Sequence, residues 1–198
     1  MAAPRKEDIK QSILENATRL LHLKAFSAIS LGDIARAAGI SKGTLYYYYN
    51  NKDDILFDIA DAYLNRLASD LIAWTENKEK DTSLPRLLNY IITRGVYSEG
   101  GTLRLYLIAA SASANDALRC RIIEKYQYFN DTLCQKLKER TENADCEYIA
   151  WLLLTVMDGL LVQTQLANEQ FRHEAFVQST VAFLSETLTQ NRKGDAIS

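Results

Sequence analysis

The segment SLGDIARAAGISKGTLYYYYNNKDDIL, residues 30–56, decides how the rest of this chain is interpreted. Ser30 is a suitable N-cap for a short helix over residues 31–38, because its hydroxyl can accept from free backbone N–H groups of the first turn. Gly39 follows that helix at the position where a left-handed residue is favoured. Ser41 then caps a second short helix. The pattern predicts two short helices joined by a tight turn that contains glycine.

A third helix precedes this segment, because apolar residues recur at helical spacing between Lys10 and Leu23. Ala35, Ala38 and Gly39 are small enough to let two short helices cross steeply where they touch. A helix, a tight turn and a second helix is the pattern of a helix-turn-helix, whose second helix enters the major groove of DNA. A helical hairpin with no role in DNA binding would show the same glycine turn.

The distribution of charge favours DNA binding. The net charge is −2, but residues 1–52 carry a balance of +4 and the remaining residues −6. A basic N-terminal quarter on an acidic body suggests that this part meets a polyanion. Arg5, Lys6 and Lys10 are predicted to form a mobile basic arm that adds nonspecific attraction.

The run of residues 30–56 resembles the N-terminal signature of the TetR (tetracycline-repressor) family of bacterial one-component regulators. The resemblance covers residues 9–57, about a quarter of the chain, and is much more specific than a bare helix-turn-helix. It also includes four apolar positions that precede the segment: Ile13, Ala17, Leu20 and Phe26.

Together, the helix pattern and the resemblance predict an all-α fold of about nine helices. Residues 1–52 are expected to form a three-helix DNA-binding domain of the helix-turn-helix type. Residues 53–198 are expected to form a larger helical domain that binds an effector and dimerises. A long helix over residues 53–77 would connect the two.

Four consecutive tyrosines in the second short helix cannot all be buried on one face. Leu45 and Tyr49 lie four residues apart, so Tyr49 is predicted to face the core. The other three would face DNA, where a phenol can donate to a phosphate oxygen. The resemblance implies DNA contacts at the same positions. The predicted DNA-binding residues are Ser30, Ser41, Lys42, Gly43, Thr44, Tyr46, Tyr47, Tyr48 and Lys52.

Individual members of this set have different expected roles. Lys42 and Thr44 lie at the N-terminal end of the recognition helix, where side chains reach base edges, and Gly43 allows close approach. Ser30 and Ser41 are expected to contact phosphate near helix N-termini. Plain capping is the alternative for the serines, and a solvated helix end is the alternative for Lys52.

The last two helices carry wide apolar stripes, which predicts that they pair with the same helices of a second chain. Two such helices from each of two chains would form a four-helix interface around a two-fold axis. An ordinary core hairpin is the alternative. The predicted dimer contacts are Leu153, Val156, Met157, Leu160, Phe176, Thr180, Phe183 and Leu184.

The fourth to seventh helices are predicted to enclose an effector pocket, as the resemblance implies. An apolar or aromatic ligand is expected there, although aromatic residues on helices are often plain core. The candidate lining residues are Trp74, Tyr97, Tyr106, Tyr126, Phe129 and Trp151. No metal or cofactor is predicted, because no metal spacing links His22 and His173 to the cysteines.

Other classes of protein fit the sequence poorly. The chain shows no nucleophile–base set, phosphate loop or paired carboxylates that would indicate an enzyme. It has no apolar run of about 18 residues and no signal peptide, so no membrane association is expected. The three cysteines are read as reduced thiols of a cytoplasmic protein.

The sequence therefore predicts a cytoplasmic, homodimeric, ligand-responsive transcriptional regulator. It is expected to be a repressor that a small apolar or aromatic effector releases from a palindromic DNA operator. The alternative is a helical dimer that acts as a protein-interaction scaffold without sequence-specific DNA binding.

Overall fold

The computed structural model describes residues 6–97, 101–112, 116–142 and 145–190, and within them it contains helices and no strand. The predicted all-α fold is confirmed. Arg5 of the predicted basic arm lies outside the described residues. The helices of the described part are α1 (Lys6–Leu23), α2 (Leu31–Ala37), α3 (Lys42–Tyr48), α4 (Lys52–Glu76), α5 (Leu84–Val96), α6 (Gly101–Ala112), α7 (Asp116–Lys138), α8 (Cys146–Gln165) and α9 (His173–Gln190).

The short N-terminal helices begin where their caps predict. The Ser30 hydroxyl accepts from the backbone N–H of Asp33 at 3.1 Å, and the Asp33 carboxylate accepts from the backbone N–H of Ser30 at 3.0 Å. The Ser41 hydroxyl accepts from the backbone N–H of Thr44 at 2.9 Å. Gly39, with φ of 65°, makes the left-handed turn between α2 and α3. These contacts satisfy N–H groups that a helix start leaves free.

The helix-turn-helix has its own core, which extends into α4. Buried residues of α1, α2 and α3 pack together with Ile55 and Ile59 of α4. The packed unit therefore continues past residue 52, because the first two turns of α4 supply part of its apolar surface. The helices of this core contribute Ile13, Ala17, Ile34, Ala35, Leu45 and Tyr49.

A second and larger core lies among α5, α7, α8 and α9. Helix α4 contacts both parts of the molecule, since it packs against α1 at one end and against α5, α6 and α7 along its length. By length and composition α8 could cross a membrane. Seven of its eight buried residues belong to this core, as expected for the central helix of a bundle.

Four of the eight side chains predicted to contact a second chain are instead buried in this larger core, so that part of the prediction is wrong. They are Leu153, Met157, Leu160 and Leu184. Helices α8 and α9 carry apolar residues on more than one face, and the buried stripe packs against α5 and α7. Phe176 and Phe183 remain exposed, whereas Val156 and Thr180 are half-buried.

Candidate functional site

The recognition helix α3 divides its tyrosines as the spacing predicts. Tyr49 is only 5% exposed and belongs to the N-terminal core, whereas Tyr47 is 71% exposed. Tyr46 is also exposed. Tyr48 is half-buried, and its ring meets that of Tyr47 edge-to-face with centroids 5.2 Å apart. Tyr46 and Tyr47 are therefore exposed, whereas Tyr48, which was predicted to face DNA with them, lies at the rim of the core.

The N-terminal end of α3 presents a surface with few internal contacts. Lys42 and Gly43 are exposed, and a Cβ atom added to Gly43 would meet only the Ser41 hydroxyl oxygen at 3.7 Å. The Thr44 hydroxyl lies 2.8 Å from that of Ser41, so both side chains also serve the helix cap. No residue in the described part of the chain fills the space outside Gly43, which leaves room for another molecule.

The structure gives Lys52, Lys6 and Lys10 positions that differ from their predicted ones. The ammonium of Lys52 donates to the carbonyls of Phe26 and Ile29 at 3.1 and 3.3 Å, and it lies 4.5 Å from the Phe26 ring centroid. Within the 3-10 turn before α2 the Phe26 carbonyl also accepts from the backbone N–H of Ile29 at 3.1 Å, so Lys52 is a second donor to it. Lys6 and Lys10 belong to α1 rather than to a mobile arm.

A cluster of polar residues ties the helix-turn-helix to α4 and α7, and we call it the Asp58 cluster: Lys10, Tyr49, Asp54, Asp58 and Arg121. Asp58 accepts from the Tyr49 phenol at 2.9 Å and from the Lys10 ammonium at 2.8 Å. Arg121 donates to Asp58 at 3.1 Å and to Asp54 at 3.2 Å. Burial, followed by the bond to Asp58, raises the pKa of the Tyr49 phenol. One carboxylate of α4 thus holds α1, the end of α3 and α7.

Sequence reasoning did not find this cluster. Arg121 and Asp58 are 63 residues apart, and no local spacing indicates that they meet. The available signal was weak: Asp54 and Asp58 lie four residues apart on α4, so they share one face of that helix.

A cavity of about 830 Å³, including its mouth, lies within the helical body. Helices α4 to α7, which were predicted to enclose a pocket, all line this cavity, and Leu154 and Met157 of α8 line it as well. Its lining is largely apolar and includes a few charged groups, which is typical of a small-molecule site. The lining residues are Phe57, Asp61, Leu64, Leu67, Leu71, Tyr90, Ile91, Arg94, Gly95, Arg104, Leu107, Ile108, Ile122, Lys125, Tyr126, Phe129, Leu133, Leu154 and Met157.

Only two of the six aromatic residues predicted to line a pocket do so, namely Tyr126 and Phe129. The other four are corrected by the structure. Trp74 stacks behind the cavity on Tyr90, with ring centroids 4.6 Å apart. Tyr106 packs near Phe26 instead, whereas Tyr97 and Trp151 are exposed on the surface. Helical spacing does not show which face of each helix meets the cavity, so these assignments failed.

Comparisons with known proteins agree with this architecture. Residues 13–59 match the family described as bacterial regulatory proteins, tetR family, and residues 103–189 match the BetI-type transcriptional repressor C-terminal family. EthR of Mycolicibacterium smegmatis is 40% identical over 68 residues, which span 34% of this chain and 31% of that protein. AcrR of Shigella flexneri is 24% identical over 191 residues, and the match covers 91% of this chain and 89% of that protein.

Solved structures show the same fold. GusR of Salmonella enterica superposes with a TM-score of 0.73 at 20% identity, and 93% of this chain and 97% of that chain are covered. FadR of Bacillus subtilis, solved in complex with stearoyl-CoA, gives a TM-score of 0.64 at 17% identity, with 90% and 97% covered.

The matched families and the relatives found are transcriptional regulators, not enzymes. The chain belongs to the TetR family of transcriptional regulators. Regulators of this family bind DNA operators and small-molecule ligands and act as dimers.

Proposed function

We propose that this chain is a cytoplasmic homodimeric repressor that leaves a palindromic operator when a small apolar or aromatic effector enters the cavity. Residues 1–52 would serve as the DNA-binding domain and residues 53–198 as the effector-binding and dimerisation domain. The observation that carries this proposal is the Asp58 cluster, which joins the cavity wall to the helix-turn-helix.

Support for DNA contact comes from the exposed face of α3. Lys42, Gly43, Tyr46 and Tyr47 are exposed together on this helix. The ammonium of Lys6 lies 5.2 Å from the Tyr47 ring centroid, which adds a positive charge beside the phenol. A cation and phenolic donors on one short helix suit contacts to phosphates and base edges in a major groove.

Support for ligand response comes from the position of Phe57. This residue lines the cavity and precedes Asp58 in α4, and the guanidinium of Arg121 lies 3.6 Å from its ring centroid. A ligand that displaces Phe57 must also displace Arg121, which holds Asp58 and Asp54. Because Asp58 also holds Tyr49 and Lys10, the helix-turn-helix would change its position relative to the body.

Such a displacement lowers operator affinity only if the ligand prefers one arrangement of the molecule. The ratio of its affinities for the two arrangements then sets the loss of DNA affinity. In the operator-bound arrangement the two recognition helices would lie roughly 34–36 Å apart, one turn of DNA.

Support for dimerisation comes from the outer face of α8 and α9. Trp151, Val162, Phe176 and Phe183 are exposed large apolar residues on these two helices. Large apolar side chains that stay exposed in a single chain mark protein interfaces where they lie together. In this proposal the exposed apolar residues form the dimer contacts, in place of the buried residues that the sequence suggested.

The proposal is tested by selecting duplexes from a random DNA library with the intact protein. We expect an inverted repeat to be enriched, and we expect Tyr47→Ala to lose that enrichment. Tyr128→Ala, which changes an exposed tyrosine of α7, is the matched control and should behave like the parent. Equal enrichment by Tyr47→Ala would show that α3 does not read the DNA, and no enrichment by the parent would favour the helical-scaffold alternative.

Coupling is tested separately with Arg121→Gln. This variant should still bind an apolar probe such as decan-1-ol, measured by calorimetry, but the probe should release less of its operator than it releases from the parent. If the probe binds the parent and leaves operator affinity unchanged, the effector part of the proposal is wrong.

A further inference from the structure

We infer that the effector is an uncharged molecule, because every charged side chain that the described residues contribute to the cavity wall is paired with another residue of this chain. The inference rests on the proposed effector role of the cavity, and it adds the ligand's charge to that proposal.

The charged residues of the wall at first suggest the opposite. Three cations, Arg94, Arg104 and Lys125, and one carboxylate, Asp61, line the cavity. Taken alone, these four residues would favour an anionic ligand. The B. subtilis FadR, which has the same fold, was solved with an acyl-CoA, so the fold does not exclude such ligands.

Lys125 and Arg94 are each held by a carboxylate of α4. The Lys125 ammonium lies 2.6 Å from the Asp61 carboxylate and donates to the side-chain oxygen of Asn65 at 2.8 Å. The Arg94 guanidinium lies 2.7 Å from the carboxylate of Asp70, which is not a lining residue. Both charges are therefore neutralised by partners that the ligand does not supply.

Arg104 is held in the same way from α8. It is a buried residue of α6, and its guanidinium forms an ion pair with Asp158. The phenol of Tyr126 donates to the other carboxylate oxygen of Asp158 at 2.7 Å. Asp158 does not line the cavity, so the guanidinium of Arg104 is paired with a carboxylate that lies behind the cavity wall.

The surface that remains for a ligand is almost entirely carbon. Leucine and isoleucine side chains, aromatic rings and the alkyl stems of the paired cations provide it. A charged ligand would lose its hydration there and would find no free counter-charge among the described lining residues. A carboxylate could gain one only by drawing a cation away from its aspartate, which would leave that aspartate without a partner.

Three probes with the same ten-carbon chain test this inference: decan-1-ol, decanoate and decyltrimethylammonium. Binding to the intact protein is measured by calorimetry at pH 7, below the concentrations at which the probes aggregate. We expect decan-1-ol to bind at least about tenfold more tightly than either ion, since each ion loses hydration without compensation. An ionic probe that binds as tightly as the alcohol would overturn the inference.

A variant that frees one cation should reverse the preference. Asp158→Asn keeps an acceptor for Tyr126 but leaves Arg104 without its carboxylate, so the affinity for decanoate should rise relative to decan-1-ol by about tenfold or more. Asp70→Asn should act in the same direction through Arg94. Asp81→Asn, which removes the carboxylate partner of the exposed Arg86, is the control and should leave the ratio unchanged.

An unchanged ratio in both Asp158→Asn and Asp70→Asn would contradict the inference, as would failure of decan-1-ol to bind the parent. Operator binding is measured independently of these probes. A result against an uncharged effector therefore leaves the DNA-binding half of the proposed function to be judged by its own experiment.

Discussion

The phenol of Tyr49 donates a 2.9 Å hydrogen bond to the carboxylate of Asp58, and this bond joins the end of α3 to α4. Tyr47, two residues earlier in the same run of four tyrosines, is 71% exposed. Neighbouring phenols therefore serve different purposes, because α3 ends at Tyr48 and the extended backbone of Tyr49 turns its ring into the core.

Replacing each phenol by phenylalanine separates these purposes. Tyr49→Phe should lower the free energy of unfolding by about 1–3 kcal/mol, because it removes a partly buried hydrogen bond to a charged group. Tyr47→Phe should change stability by less than about 0.5 kcal/mol but weaken operator binding. Urea unfolding and DNA titration of both variants provide the measurements. Equal losses of stability would contradict this division.

Replacing Gly39 and Gly43 of the helix-turn-helix by alanine should change the free energy of unfolding in opposite directions. A Cβ atom at Gly39 would meet nothing within 4 Å, so Gly39→Ala has only the backbone cost of a φ of 65°. That cost is about 1 kcal/mol, and Gly39→Asn should cost less because asparagine tolerates this region better.

Gly43 lies instead within the regular helix α3. Gly43→Ala should raise the free energy of unfolding by about 0.5–1 kcal/mol through helix propensity. Urea unfolding of the Gly39→Ala and Gly43→Ala variants measures both changes in the free energy of unfolding. Stabilisation by Gly39→Ala would mean that the turn between α2 and α3 is not left-handed in solution.

Acid should weaken the start of α2. Hydrogen bonds from the backbone and hydroxyl of Ser30 lower the pKa of Asp33 from 3.8 to about 2. A carboxyl whose pKa is depressed by folding stabilises the fold above its unfolded pKa, and this contribution is lost as the pH falls through the folded pKa. The contribution of Asp33 should therefore be complete above about pH 4 and disappear towards pH 2.

The comparison with Asp33→Asn measures this effect. The variant should melt at a lower temperature than the parent at neutral pH, and the difference should shrink between about pH 4 and pH 2. Ser30→Ala removes the hydroxyl donor to Asp33 and keeps only the backbone donor. The stability that this variant loses in acid should therefore be smaller than the stability that the parent loses. A difference in melting temperature that is constant with pH would show that Asp33 does not act through its charge.

Introducing a carboxylate on the outer face of α9 should separate the proposed dimer. Phe183 is 66% exposed in the single chain, and Phe183→Glu would bury a charge without a partner if this face forms the interface. Ile123→Glu, at a 60% exposed position of α7, is the matched control and should remain dimeric. Light scattering after gel filtration gives the mass of each variant at the same concentration. A dimeric Phe183→Glu would place the interface elsewhere.

The elements whose signals are local could be predicted from the sequence. The serine caps, the left-handed Gly39 and the inward position of Tyr49 follow from contacts within about four residues along the chain. Helix α4 was predicted over 53–77 and runs over Lys52–Glu76. Hydrogen bonds from one turn to the next fix such features, so neighbouring residues suffice to predict them.

Which helix faces meet was visible only in the folded molecule. The tertiary structure placed Leu153 and Leu184 in the core of a single chain, and it turned the Lys52 ammonium towards backbone carbonyls. It also brought Arg121 to Asp58 across 63 residues of sequence. An apolar stripe or a charge has the same appearance in a sequence whatever lies opposite it. Its role is set by the packing partner, and helices distant in the chain supply that partner.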